Sequence, residues 1–265
     1  MVIKLALKRG RILDFKRILE KQKLYEHGKD VLHEITIESY NNAFEVEFTH
    51  NSTAIEGNTL TLIETKVVLE DGISVGGKAL REIFEVINHR KAFRYVKQCI
   101  REGLPLSEKI VKDIDTLVME NIIVGDIYRN EEVVISGASH IPPARNEMYI
   151  QIKNFFASLM YKKDLNPIEL AAWTHAEFVR IHPFQDGNGR TSRLIMNYQL
   201  MSYGFLPISI SKENRLDYYN ALDKYATHGI LDDFANMIAE LEEAQLDKYI
   251  SIIPKKNQSH QIQQI

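Results

Sequence analysis

A mainly helical bundle is the fold class the sequence predicts, and three observations carry that reading. Apolar residues recur at helical rather than alternating spacing through most of the chain, as with Leu80, Ile83, Phe84 and Ile87. Start and stop signals bracket the periodic stretches: Pro167 opens one, and Gly72 and Gly103 close others. One stretch alone departs from the pattern. "YRNEEVVISGASHIPP", residues 128–143, joins β-branched Val133, Val134 and Ile135 to a glycine and a proline pair.

The elements follow in order. In "TLTLIETKVVLEDG", Thr61 stands three residues before Glu64, a capping box, and Gly72 ends the helix. The stretch 77–103 is a long helix. Ser107 starts another over 107–121, with Glu108 favourably placed in its first turn. Segment 128–143 reads as a short β-hairpin flap with a free edge, resting on helices because two strands alone are marginal. Further helices are expected over 147–162, 167–180, 190–203, 213–227 and 231–249. The polar stretch "PKKNQSHQIQQI" is expected to be a frayed tail.

Composition limits the function classes. With 33 basic and 36 acidic residues the net charge is −3, so no global basic field draws the chain to nucleic acid or anionic lipid. A single cysteine, Cys99, rules out an internal disulfide framework or a cysteine-rich zinc site, and it reads as a small buried hydrophobe. No signal-like start is read in "MVIKLALKRGRILDFK", and no window approaches the ~20 apolar residues that cross a bilayer. The expectation is a soluble cytoplasmic protein without a membrane partner.

The densest chemistry lies in "IHPFQDGNGRTSR", residues 181–193. Asp186, Gly187, Asn188 and Gly189 form a tight turn just before a helical run, so the turn sits at a helix N-terminus. Unbonded amide N–H groups and the helix dipole attract anions there, and the glycines allow close approach. Arg190 and Arg193, three residues apart, add two guanidinium forks suited to phosphate. A carboxylate beside an anion nest points to a bridging Mg²⁺ (or Mn²⁺), with Asp186 as its ligand. His182, four residues earlier, suits a general base near neutral pH. Together they imply transfer of a phosphate-containing group to a hydroxyl. Taken singly, each member of the string is as consistent with an ordinary structural residue.

His182, Phe184, Asp186, Gly187, Asn188, Gly189, Arg190 and Arg193 resemble the signature of the Fic (filamentation induced by cAMP) family, His-x-Phe-x-Asp/Glu-Gly-Asn-Gly-Arg-x-x-Arg, without a departure. "DIYRNEEVVISGASHIPP" resembles the family's flap, "LDYYNAL" its adenine-side tyrosine region, and "STAIEGN" its inhibitory motif. Residues 52–249 are covered. The resemblance implies a Fic-type helical bundle with the motif loop between two central helices. It implies an N-terminal helical region over 1–75 that carries the inhibitory motif, a core over 76–250 and a polar tail over 251–265. The activity implied is AMPylation: AMP passes from ATP to a hydroxyl of a target protein, or of the enzyme itself, and pyrophosphate leaves.

The same resemblance assigns roles. His182 deprotonates the hydroxyl, Asp186 holds the metal, and the amides of Gly187 and Gly189, with Asn188, stabilise the α-phosphate. Arg190 and Arg193 bind the outer phosphates, and Tyr218 and Tyr219 lie near adenine. Ala226 stands where some relatives carry an asparagine, which leaves the adenine contacts open, and a tyrosine pair on a helix also reads as core packing. Gly137, Ala138, Ser139 and His140 of the flap would lie near nucleotide and target, the target adding as a strand along the free edge. His140 also reads as a plain surface histidine. Trp173 is expected in the core, and His175 receives no role.

Ser52 and Glu56, four apart, share one helix face, with Gly57 as a C-cap. Read alone, the stretch is a short helix with Glu56 as an ordinary solvated glutamate. The resemblance makes it a brake that pairs with Arg193 in place of the γ-phosphate, and a group that aligns water to remove AMP from a modified target. Association into homo-oligomers is common in the family. Alternatives left open are transfer of another phosphate-linked group (UMP, phosphocholine or phosphate) and a regulatory binding protein. A metal-dependent nuclease is disfavoured by the charge balance and the lack of a second carboxylate cluster.

Overall fold

The computed structural model describes residues 15–135, 137–162 and 165–254. Among the described residues ten α-helices form the bundle: α1 (Phe15–Gly28), α2 (Glu34–Ile55), α3 (Leu62–Lys66), α4 (Leu80–Arg101), α5 (Glu108–Met119), α6 (Arg145–Tyr161), α7 (Pro167–Ile181), α8 (Asn188–Ser202), α9 (Arg215–His228) and α10 (Asp232–Ile250). A π-helical turn, Val67–Asp71, prolongs α3, and Gly72 ends it in a left-handed conformation (φ 67°). The capping box at Thr61 and Glu64 forms with both bonds. Ser107 caps α5, and Asn166 with Glu169 and Pro167 opens α7.

α7 and α8 are the most extensively packed pair, and they separate two hydrophobic cores. On one side Leu170, Trp173, Phe178 and Ile181 of α7, with Leu194, Ile195 and Tyr198 of α8, meet residues of α2, α4, α5 and α6. On the other side Ala171, Ala172 and Ala176 of α7, with Met196 and Leu200 of α8, meet α9, α10 and Ile55 of α2. Small residues on the second face of α7 let α10 come close, as ridge-into-groove packing requires. Cys99 and Trp173 are buried in the first core.

Three readings of the sequence need correction. Along α4 the buried stripe is Ile83, Val86, Phe93 and Val96, while Leu80 and Ile87 face outward. Charged and polar partners on α2 and α8 take the rest of the inward face, so apolar spacing alone misses the helix's rotation. The stretch around Ser52–Glu56 is the end of the 22-residue α2, not a short helix. Among the described residues no strand pair forms in the flap. Residues 131–135 run without ladder bonds, and the one bridge there joins Tyr128 to Phe184 of the motif loop. The physical reason is that neighbouring elements take the flap's main-chain groups. Arg129 N–H donates to Pro183 O, and the Ser139 and His140 N–H groups donate to Asp223 of α9. The tail read as frayed lies outside the described residues beyond Pro254.

Candidate active site

The loop between α7 and α8 is shaped by its own sequence. Pro183 disfavours the right-handed helical region for the residue before it, so α7 must stop at His182. His182 takes a left-handed conformation (φ 51°, ψ 59°) and still donates its N–H to Phe178 O at 3.0 Å. Phe184 is buried and stacks on Tyr128 with ring centroids 5.4 Å apart. Asn188 then closes the loop in a two-bond exchange: its Nδ2 donates to Phe184 O at 2.8 Å, and Phe184 N–H donates to its Oδ1 at 2.9 Å. Gly187, in a left-handed conformation (φ 79°), is the N-cap of α8. The first amides of α8 have no intrahelical acceptor and open toward the space before the loop.

A carboxylate already stands at that opening. Glu56 follows the last residue of α2, and its Oε1 accepts from Arg193 Nη2 at 2.8 Å. A Cβ on Gly189 would lie 2.2 Å from the same oxygen, so only glycine lets Glu56 rest on the first turn of α8. Arg193 is 1% exposed, and each of its three nitrogens donates a hydrogen bond. It also donates to Ser52 Oγ at 2.9 Å, Ser52 O at 2.7 Å and the Tyr218 hydroxyl at 3.2 Å. Tyr218 and Ser192 both meet Nε2 of His175, which is fully buried with its pKa pushed well down by desolvation. Tyr219 is partly exposed, donates to Ile55 O at 3.1 Å and lies beneath the Arg215 guanidinium.

Arg190 points the other way. It is 2% exposed, donates to Asp186 Oδ1 at 3.1 Å and lies 3.5 Å from Glu85 Oε1 of α4. Asp186 also accepts from Gly187 N–H at 2.5 Å and from Arg81 of α4. Desolvation works to raise the Asp186 pKa, but Arg190, the Gly187 amide and Arg81 outweigh it and hold the carboxyl below its usual range. Burial pushes the His182 imidazole down to about 4, with a backbone interaction at Val179 pulling the other way. Its buried Nδ1 has no well-formed hydrogen bond. His182 is therefore a neutral base near pH 7. In the flap, Gly137 is left-handed (φ 82°), and His140 Nε2 meets Arg180 O at 2.9 Å, which ties the segment to the end of α7.

Four functional neighbours escaped the sequence reading. Arg129, 2% exposed, donates to the carbonyls of His182, Glu131 and Pro143, binding both ends of the flap to the motif loop. Asp115 of α5 lies under Gly187 and takes Asp126 N–H at 2.9 Å, and burial pushes its carboxyl up to about 7. Glu85 and Arg81 complete the polar wall beside Asp186. The Tyr128–Arg129 pair that opens the flap segment was the one signal that could have pointed to Arg129. The other three become neighbours only in the folded chain.

Among the described residues no group of three His, Cys, Asp or Glu side chains is placed to hold a metal, and no helix is long and apolar enough to cross a membrane. A groove of about 660 Å³ lies between α2 and α3, lined by Asn42, Val46, Leu62 and Lys66 among others and by none of the motif residues.

Residues 105–200 match the Fic/DOC family. The chain is 34% identical over 253 residues to the protein adenylyltransferase Fic of Drosophila mojavensis, covering 91% of this chain and 50% of that protein. It is 36% identical over 212 residues to the protein of the same name from Drosophila virilis, covering 78% and 43%. The chain thus spans about half or less of the length of these curated relatives. Its fold is similar to a Fic-domain signalling protein from Bacteroides thetaiotaomicron, with TM-score 0.79, 27% identity and coverage of 89% and 95%. It is also similar to Fic-1 from C. elegans, with TM-score 0.76, 28% identity and coverage of 90% and 72%.

Proposed function

We propose that the chain is a Fic-type protein adenylyltransferase held in check by its own Glu56, a reading supported by the family match over residues 105–200 and by the likeness to relatives of that name. The observation that carries the reading is the convergence at the start of α8. A neutral imidazole, an anion-attracting helix end, an ionised aspartate and a buried arginine surround one small volume, and Glu56 sits inside it.

In the proposed reaction a target hydroxyl gives its proton to His182, and its oxygen forms a bond to the α-phosphorus of ATP. The bond from that phosphorus to the β-phosphate bridging oxygen breaks, and pyrophosphate leaves. The amides of Gly187 and Gly189 would face the α-phosphate where charge builds up, which is where such chemistry gains most. Asn188 serves by clamping the loop that presents them. Arg193 would meet the outer phosphates once Glu56 leaves it, whereas Arg190 works from beneath, through Asp186. Asp186 fits Mg²⁺ or Mn²⁺, since a metal bridged by phosphates needs only one or two protein carboxylates and this one is ionised and partly exposed. Bound there, the cation would neutralise phosphate charge.

The N-terminal region over 1–75 carries the brake in this reading. The Glu56 carboxylate holds the arginine that an outer phosphate needs, so ATP is misplaced for in-line attack. The same carboxylate is positioned to orient water for AMP removal. Residues 137–140, fastened by Asp223, would offer main-chain groups to a target, and Tyr219 would lie near adenine beside the buried Tyr218. ATP, the target and the enzyme itself are the proposed partners.

The test is transfer of α-labelled ATP. Glu56→Gly should raise auto-AMPylation well above wild type, and His182→Ala in that background should abolish it. Equal labelling of wild type and Glu56→Gly would remove the brake, and full labelling by the His182→Ala variant would remove the base. Glu56→Gly should also release AMP from a modified target more slowly than wild type. Equal release would count against the water-aligning role.

A further inference from the structure

The outward oxygen of Asp186 is held by a side chain that the transfer chemistry does not call for. Arg81, on the first turn of α4, donates from Nη2 to Asp186 Oδ2. The same guanidinium donates from Nε to Glu85 Oε1 at 3.2 Å, one helical turn along. Glu85 is itself fixed: its Oε2 accepts from Asn58 Nδ2 at 2.9 Å, and Arg190 approaches its Oε1 at 3.5 Å. Asn58 also donates to Glu82 O at 2.9 Å, so the turn that follows Glu56 is anchored to the start of α4. Arg81 therefore has a permanent perch on Glu85 and a second grip on Asp186.

The two grips differ in solvent access. The Arg81 and Asp186 side chains are 55% and 36% exposed, whereas Glu85 is 11% exposed. The outer contact is the one a solute can break. Arg190 and the Gly187 amide hold Oδ1 from inside, so Oδ2 is the oxygen a cation from solution would reach.

We propose that Arg81 is a built-in placeholder cation: it occupies the coordinating oxygen of Asp186 until a divalent ion arriving with the nucleotide displaces it onto Glu85. This inference deepens the transferase reading and rests on Asp186 as the metal ligand. Its consequence is that Arg81 weakens metal binding. An arginine that served as a phosphate ligand would strengthen binding of the metal–nucleotide pair. An ion pair with both side chains partly in water contributes at most about fivefold to an equilibrium, which sets the size of the expected change.

Binding of Mn²⁺ to the full chain carrying Glu56→Gly, with a non-hydrolysable ATP analogue present, is read from the enhanced water-proton relaxation of the ion when it is held on the protein, with the Mn²⁺–analogue complex without protein as the baseline. No turnover is involved. Arg81→Ala should tighten Mn²⁺ binding about three- to fivefold, and Arg81→Lys, which keeps a charge but not the two-pronged fork, should fall between it and the parent. Arg81 lies at the surface, so the substitution leaves the core untouched, and an unchanged thermal transition confirms folding. Unchanged or weakened Mn²⁺ binding in Arg81→Ala would overturn the placeholder role. Asp186→Ala should lose the site. If it binds Mn²⁺ as well as the parent does, the metal assignment itself fails, a result distinct from failure of the Arg81 variant alone.

Discussion

His182 carries a sharp expectation about pH. Burial lowers its pKa to about 4, and the Glu56 charge is one of the influences that raise it. Removing Glu56 therefore lowers it further. In the Glu56→Gly protein, kcat/KM should stay level from pH 7.5 to about 5, since the acid limb reports the free enzyme's base. A limb centred near 6.5 would mean that the imidazole is not desolvated. Gly189 gives a second test. An alanine there would put its Cβ 2.2 Å from Glu56 Oε1 and force that carboxylate off Arg193. Gly189→Ala should lower stability by about 1 kcal/mol through the lost partner of a buried charge. Most of that loss should vanish in the Glu56→Gly background, as urea unfolding of the four proteins in a double-mutant cycle would measure. Additive losses would mean the two groups do not touch. The motif string was legible because it is contiguous. Arg81, Glu85 and Asp115 were not, because a lone charged residue on a helix carries no mark of the loop it will face.

The starts of α3, α5 and α7 were the most legible, since each has a local chemical cause in a capping side chain, Thr61, Ser107 and Asn166. Asn166, Pro167 and Glu169 specify where α7 begins, and both cap bonds form. Asn166→Ala should cost about 1 kcal/mol, a fall in Tm of about 2–4 °C for a chain of this size, measured by calorimetry. An unchanged Tm would show that packing, not the cap, sets the start of α7. Strand pairing in the flap, absent among the described residues, was illegible for the opposite reason. Val133, Val134 and Ile135 favour extended backbone, but whether that backbone pairs depends on partners far along the chain. Asp223, Arg180 and Pro183 supply those partners, and no local pattern announces them. The length of α2 was missed because its buried side mixes Phe44 and Phe48 with Glu45, Thr49 and Ser52, which hides the apolar period.

For the molecule as a whole, buried acids set part of the stability profile. Glu242 of α10 is fully buried and accepts Leu206 N–H at 2.9 Å, and desolvation pushes its carboxyl up to about 8. Between its ordinary value of 4.5 and about 8 the unfolded chain binds fewer protons than the folded one, so stability falls as pH rises through that window. Glu242→Gln keeps the acceptor and removes the titration. It should be more stable than wild type at pH 8, by on the order of 3 kcal/mol, with the gap closing toward pH 4.5. Parallel profiles from chemical unfolding would contradict this. Asp115 and the buried histidines shape both profiles alike and drop out of the difference.

The helical pair α7 and α8 acts as a party wall. Each outlying lobe packs on its own face of it, and α2, with Phe48 in one core and Ile55 in the other, ties the two together, as do Tyr225 and Leu231, which pack against both. A change within it is never private: trimming one of its side chains loosens a lobe and, through the loop that crowns both helices, shifts the imidazole and the glycines together. For these two helices, robustness and reactivity are a single trait.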